Sequence, residues 1–247
     1  MKKCVIFDLD GTLTLSKAPL DPEMGDLLSK LLQKTSVAII SGGSFKQFEK
    51  QFLYNFQCPV NFLKNLYLFP TSATAGYRYE DGWKVVYVES LSEDEKKEIV
   101  EAIKSAVSKV MPDLPKDLHG PQIEDRNSQI TFSALGQQAP IELKLKWDPD
   151  RTKKEALREA VAILIPKFEV RTGGSTSIDI TKPYHDKEYG VRKIAEFLNI
   201  PIEDMLFIGD ALYPGGNDFP ATKTGVDTIS VTDPEETKNF IKNILKA

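Results

Sequence analysis

Cys4-Val5-Ile6-Phe7-Asp8-Leu9-Asp10-Gly11-Thr12-Leu13-Thr14 is an apolar run that stops on two carboxylates and continues into glycine and hydroxyl residues. Val5, Ile6 and Phe7 suit a central parallel strand buried on both faces, whereas aspartates at i and i+2 need water, metal or substrate beyond the sheet edge. Gly11 lets the backbone turn tightly. The stretch therefore reads as a buried strand whose carboxyl end delivers Asp8 and Asp10 into an active site. Asp-x-Asp also opens a calcium loop, but here the glycine comes two residues too early and Pro19 stands where the bidentate glutamate belongs. An ordinary strand end with solvated acids is the other alternative, and it is weighed against the motifs that follow.

A chain of 247 residues, 41% hydrophobic and 28% charged, describes a globular protein able to bury one large domain or two modest ones. The net charge of −4, with no basic stripe, argues against nucleic acid as a partner. The apolar run after Met1-Lys2-Lys3 is too short for a signal-peptide core and no later stretch could span a bilayer, so no membrane partner and a cytoplasmic location are expected. The cysteines, Cys4 and Cys58, are too few for a disulfide framework. With only His119 and His185, a histidine-rich metal site or a Ser-His-Asp hydrolase is poorly supported, and carboxylates must carry the chemistry.

Along the chain, Asp21-Pro22-Glu23 opens a crossover helix with Leu27, Leu28, Leu31 and Leu32 on its apolar face. Ser36 to Ile40 is the next buried strand. It ends on Ser41-Gly42-Gly43-Ser44, which suits either an anion such as phosphate or a plain small-residue turn, before a helix from about Phe45 to Phe52. A third strand covers Leu66 to Phe69. The pattern then changes: a β-rich Trp83 to Val88, a helix from Ser92 to about Val110 opened by a capping box with Glu95, β-rich runs at Gln129–Ala134 and Leu143–Trp147, a helix from about Asp150 to Leu164, and short strands around Phe168–Arg171 and Thr176–Ile180. This order indicates an inserted α+β module with an antiparallel sheet. The βαβ pattern returns with a helix from Asp186-Lys187, a strand Met205–Ile208 ending on Gly209-Asp210, the glycine-rich Pro214-Gly215-Gly216-Asn217-Asp218, a strand near Val226–Val231 and a last helix from Asp233 to about Leu245.

The fold expected is thus α/β, a Rossmann-like doubly wound parallel sheet interrupted by an inserted antiparallel cap. The boundaries expected are residues 1–77 and 184–247 for the core and 78–183 for the cap. In an open parallel sheet Asp8 with Asp10, Ser41, Lys187, and Asp210 with Asp218 converge on one crevice. A carboxylate nucleophile, a second acid, a hydroxyl, an ammonium and distal acids fit phosphoryl transfer. Acids clustered without a metal would repel strongly, so Mg2+ is implied.

These motifs, in order Asp8-Leu9-Asp10-Gly11-Thr12, Ser41-Gly42-Gly43, Lys187, and Gly209-Asp210 with Gly216-Asn217-Asp218, resemble those of the haloacid-dehalogenase superfamily of phosphotransferases. The insertion is similar in place to the C2-type cap of the Cof-like (subfamily IIB) and phosphomannomutase-like branches. Ile123-Glu124-Asp125-Arg126-Asn127 and Gly173-Gly174 before Ser177-x-Asp179 favour the eukaryotic-type phosphomannomutases. The resemblance implies that Asp8 becomes an aspartyl phosphate while Asp10 protonates the leaving oxygen and later acts as base. It implies magnesium on Asp8, the carbonyl of Asp10 and Asp210, with Asp218 close by, and the phosphoryl group on Ser41, Lys187, Gly42 and Gly43. Arg126, Ser177, Asp179 and Asn217 become substrate-binding candidates, with an ion pair to a cap acid as the alternative role of Arg126. Dimerisation through the cap carries over as an analogy.

The departures concern the substrate. Mutases of this type use arginines for the second, non-reacting phosphate, and at the aligned positions this chain has Lys17, Gln137 and Lys144. Lysine keeps charge without bidentate recognition, and glutamine keeps neither. The expectation is a phosphomonoester phosphatase acting on a phosphorylated sugar, with a sugar-phosphate mutase as the alternative. A sugar-phosphate-binding protein without turnover is the reading from another class.

Overall fold

A computed structural model describes residues 2–115, 117–173 and 175–246. Gly174, part of the cap motif named above, lies outside the described residues. In chain order the elements are β1 (Cys4–Asp8), α1 (Pro22–Leu31), β2 (Ser36–Ile40), α2 (Phe45–Gln51), α3 (Val60–Leu63), β3 (Leu66–Phe69), the single turn α4 (Pro70–Ala73), β4 (Ala75–Tyr79) and β5 (Trp83–Val88). There follow α5 (Glu93–Val110), β6 (Ile123–Asp125), β7 (Gln129–Ser133), α6 (Ile141–Trp147), α7 (Thr152–Leu164), β8 (Glu169–Thr172) and β9 (Ser177–Thr181). The chain closes with α8 (Lys187–Leu198), β10 (Met205–Gly209), β11 (Asp227–Ser230) and α9 (Pro234–Lys246). It divides into two compact units, Met1–Val88 with His185–Ala247 and Glu89–Tyr184.

The first unit is built on a seven-stranded sheet of order β11-β10-β1-β2-β3-β4-β5. β1 lies between β10 and β2, parallel to both. Its side chains alternate between two apolar layers, Val5 and Phe7 packing with Leu28 and Leu31 of α1 on one face, Cys4 and Ile6 with Val191 and Ile194 of α8 on the other. This two-sided burial is why the strand reads as a continuous apolar run. Helices on each face are started by local chemistry. Asp21 accepts the Met24 N–H at 3.1 Å with Pro22 in the first turn of α1, and Asp186 accepts the Tyr189 N–H at 3.1 Å at the start of α8.

The second unit carries a four-stranded antiparallel sheet of order β6-β7-β9-β8. Ile130, Phe132, Ile178 and Ile180 face an apolar layer with α5 and α7, while the alternate positions Thr131, Ser133, Ser177 and Asp179 form the other, polar face. Ser92 and Glu95 complete the capping box that starts α5, at 3.2 and 2.7 Å.

Two expectations are corrected. The β4–β5 hairpin belongs to the first unit, because Tyr67 and Leu68 of β3 pair with Arg78 and Tyr77 of β4; the boundary expected at residues 77 and 78 lies at Val88 and Glu89. The half-exposed β pattern of Trp83–Val88 marks the edge of that sheet rather than a new domain. Leu143–Trp147, expected as a strand, lies in helix α6. Its alternating Leu and Lys residues mimic strand periodicity, yet both are good helix formers, and Pro140 at the cap presets the entry angle.

Candidate active site

Asp8 ends β1, and its neighbour across the ladder is Ile40, the last residue of β2, so Ser41 begins its loop beside the carboxylate. Burial of Asp8 is nearly complete, and it is paired with Lys187 from the first turn of α8. The Lys187 ammonium also lies 3.1 Å from Asp218 Oδ1 and donates to the Ile40 carbonyl at 3.1 Å. Asp218 is fully buried, its Oδ2 accepting the Ala211 N–H at 3.2 Å. Asp210, just past β10, accepts the Thr12 hydroxyl at 3.3 Å. Gly11 is required here twice over: its φ of +89° is left-handed, and a Cβ would fall 2.5 Å from Asp210 Oδ2.

Carboxylate oxygens of Asp8, Asp210 and Asp218 lie within 4.8 Å of one another. Three carboxylates against the Lys187 ammonium leave the group over-negative. Burial, with Asp218 and Asp210 adding to it against Lys187, pushes the Asp8 carboxyl up to about 7. Burial followed by Asp218 raises Asp210 too. For Lys187 burial acts downward, but the carboxylates of Asp218 and Asp8 outweigh it and hold the ammonium above its ordinary value. An all-oxygen, over-negative cluster fits a divalent cation, which would supply the missing charge.

Ser41 is buried, its Oγ accepting the Gly43 N–H at 3.1 Å and its carbonyl accepting the Ser72 N–H at 2.9 Å. The Ser72 contact comes from a turn in which Thr71, Ser72 and Ala73 all have positive φ. Gly42 is exposed between them, and Asn217 is exposed on the loop before Asp218.

The Asp10 carboxylate is held by its own loop and by α2. Its Oδ1 accepts the Lys17 N–H at 2.7 Å and Gln51 Nε2 at 2.8 Å, and its Oδ2 accepts Gln47 Nε2 at 3.2 Å. Sequence reasoning missed both glutamines, which lie on α2 directly after the Ser41 loop; the signal was a polar residue four places after another on a helix that also buries Phe48.

In the second unit, Asp179 accepts the Thr131 hydroxyl at 2.6 Å, and burial raises its carboxyl. Ser177 is on the same strand and face. Arg126 donates Nε and Nη2 to Glu124 at 2.9 and 2.7 Å, the alternative weighed for it from sequence. Gln137 donates to the Gln122 and Thr131 carbonyls at 3.3 and 3.5 Å, and Lys144 to the Gln137 carbonyl at 3.1 Å.

Comparison with known proteins places this geometry in a family. The model of the eukaryotic phosphomannomutase family matches residues 24–247. The phosphomannomutase of Encephalitozoon cuniculi is 30% identical over 99% of this chain and 94% of its own length. A probable phosphomannomutase of Caenorhabditis elegans is 27% identical over 98% and 95%. Among solved structures, an IMP-bound, N-terminally truncated IMP-nucleotidase of Plasmodium falciparum superposes with a TM-score of 0.69 at 19% identity, covering 100% of this chain and 68% of that one. The trehalose-6-phosphate phosphatase of Aspergillus fumigatus gives 0.60 at 15% identity, covering 100% and 93%; at such identities the likeness is one of fold. Motifs at the ends of β1, β2 and β10 and at the start of α8, and a family match over residues 24–247, make this protein a member of the eukaryotic phosphomannomutase family within the haloacid-dehalogenase superfamily.

Proposed function

We propose that the protein is a magnesium-dependent phosphomonoester phosphatase that acts on phosphorylated sugars through an aspartyl phosphate. The observation that carries this reading is Asp8 at the end of β1, held by Lys187 within the carboxylate cluster. Asp8 attacks phosphorus. Asp10 protonates the leaving oxygen and then removes a proton from water. Lys187, the Ser41 hydroxyl and the N–H groups of Gly42 and Gly43 bind the phosphoryl oxygens. Asp8, Asp210 and Asp218 with the Asp10 carbonyl would hold Mg2+, which when bound offsets the negative charge between nucleophile and phosphate. Arg126, Ser177, Asp179 and Asn217 are the proposed sugar-phosphate contacts. A cytoplasmic location and a cap-mediated homodimer belong to the same proposal, the dimer testable by light scattering.

Hydrolysis is favoured over mutase activity by the engagement of Gln137 and Lys144 with their own unit. A mutase must hold a bisphosphate in two orientations, and these side chains offer no bidentate fork for the distal phosphate. The second reading, a sugar-phosphate mutase, is favoured by relatives named phosphomannomutases. Asp8→Asn protein, checked for retained fold by circular dichroism, tests the catalytic reading. Loss of phosphate release is expected, and persistence of release would remove Asp8 as nucleophile.

A further inference from the structure

Gln51 is a buried amide on α2, only 4% exposed, and every polar atom of its side chain is committed. The Thr14 hydroxyl donates to the Leu9 carbonyl at 3.3 Å, so its oxygen is left to accept Gln51 Nε2 at 2.6 Å. Gln51 Oε1 accepts Gln47 Nε2 at 3.0 Å. Both contacts fix the direction of the amide and aim its other N–H at Asp10 Oδ1, 2.8 Å away. Turned over, the amide would set Oε1 against that carboxylate oxygen and leave Gln47 facing a donor.

We propose that Gln51, braced by Gln47, is a positioning residue for Asp10 and selects Oδ2 as the oxygen that hands over the proton. The assignment rests on the reading of Asp10 as general acid. Oδ1 already accepts N–H groups from Lys17 and Gln51 at 2.7 and 2.8 Å, so a proton there would clash with a donor. Oδ2 has the longer Gln47 contact, at 3.2 Å, and is the oxygen able to carry hydrogen. As Asp8 forms its bond to phosphorus, the phosphorus–oxygen ester bond breaks and its electron pair passes to the sugar oxygen, which takes the Oδ2 proton. Asp10 is then a carboxylate, and its bonds from Lys17 and Gln51 become charge-assisted and stronger. The fixed amide thus keeps Oδ1 occupied and leaves Oδ2 for the transfer.

A structural glutamine and a positioning glutamine differ in how the enzyme responds to the leaving group. Mannose 1-phosphate expels an alkoxide that needs a proton, whereas p-nitrophenyl phosphate expels a stable phenolate that needs none. With magnesium at fixed pH, Gln51→Leu should lower kcat/KM for mannose 1-phosphate on the order of 10- to 100-fold and that for p-nitrophenyl phosphate by no more than about threefold. Gln47→Leu should act in the same direction with a smaller loss; its partly exposed site makes it the working variant if Gln51→Leu does not fold, as judged by thermal melting. Equal losses on both substrates, or no loss on either, would overturn the positioning role while leaving the phosphatase reading intact. Wild-type protein that releases phosphate from neither substrate would overturn that reading and this assignment with it.

Discussion

At Asp8 the local charge decides what the residue can do. Lys187 pairs with both Asp8 and Asp218 inside a cluster of three carboxylates, so removing it should be felt in folding and in turnover alike. Lys187→Met is expected to lower stability by about 3–5 kcal/mol in denaturant titration and to abolish phosphate release. An unchanged midpoint would show that the cluster does not depend on the pair. Magnesium added to chelator-treated wild-type protein is expected to raise the melting temperature, with stabilisation of about 2.7 kcal/mol at a hundredfold excess over Kd. Asp218→Asn should shrink that shift, and a shift of full size would remove Asp218 from the cation site. Asp8, Ser41, Lys187 and Asp210 stand out as candidates in the sequence because they lie at or just past the ends of β1, β2 and β10 or begin α8, where an acid, hydroxyl or ammonium has no packing reason to be; Asp10 and Asp218 stand out through the glycine-containing turns beside them. Gln47 and Gln51 do not, because a polar residue on a helix reads as a solvated face until its neighbours are known.

At the scale of elements, α1 and α9 are clamped by Lys238, which is 4% exposed and reaches Asp21 at 2.9 Å, Glu23 at 3.3 Å and Glu235 at 2.7 Å. The hydrogen bond from Lys238 holds Asp21 below the usual carboxylate range, and although burial acts against Lys238, Glu235, Asp21 and Glu23 keep it raised. A depressed carboxylate contributes above its unfolded pKa of about 3.9 and loses that contribution as pH falls through its folded value; a raised lysine contributes fully below about 10.4 and loses it above. Lys238→Met should therefore cost about 1 kcal/mol near neutrality, and its melting-temperature difference from wild type should narrow below about pH 4. A difference that does not change with pH would assign the effect to packing. Ser92→Ala removes one half of the capping box on α5 and should cost about 1 kcal/mol, read from the chemical denaturation midpoint. Helix starts were legible because caps are local chemistry. Leu143–Trp147 and the β4–β5 hairpin were misread because alternation alone does not say which sheet, if any, a segment joins.

At the scale of the whole molecule, the interruption of a βαβ chain by an antiparallel module was visible in the order of elements, and both sheets are present as separate units. Among the described residues no helix is long and apolar enough to cross a membrane. Family membership narrows the chemistry to phosphoryl transfer and leaves the fate of the phosphoryl group to the residues that would hold a second phosphate. A phosphorus NMR time course with magnesium and mannose 1-phosphate, with and without a hexose bisphosphate and with Asp8→Asn protein as control, addresses that fate directly. Growth of inorganic phosphate, independent of the bisphosphate and absent for Asp8→Asn, is the predicted result. Growth of the isomeric sugar phosphate only when the bisphosphate is present would contradict it and make the protein a mutase.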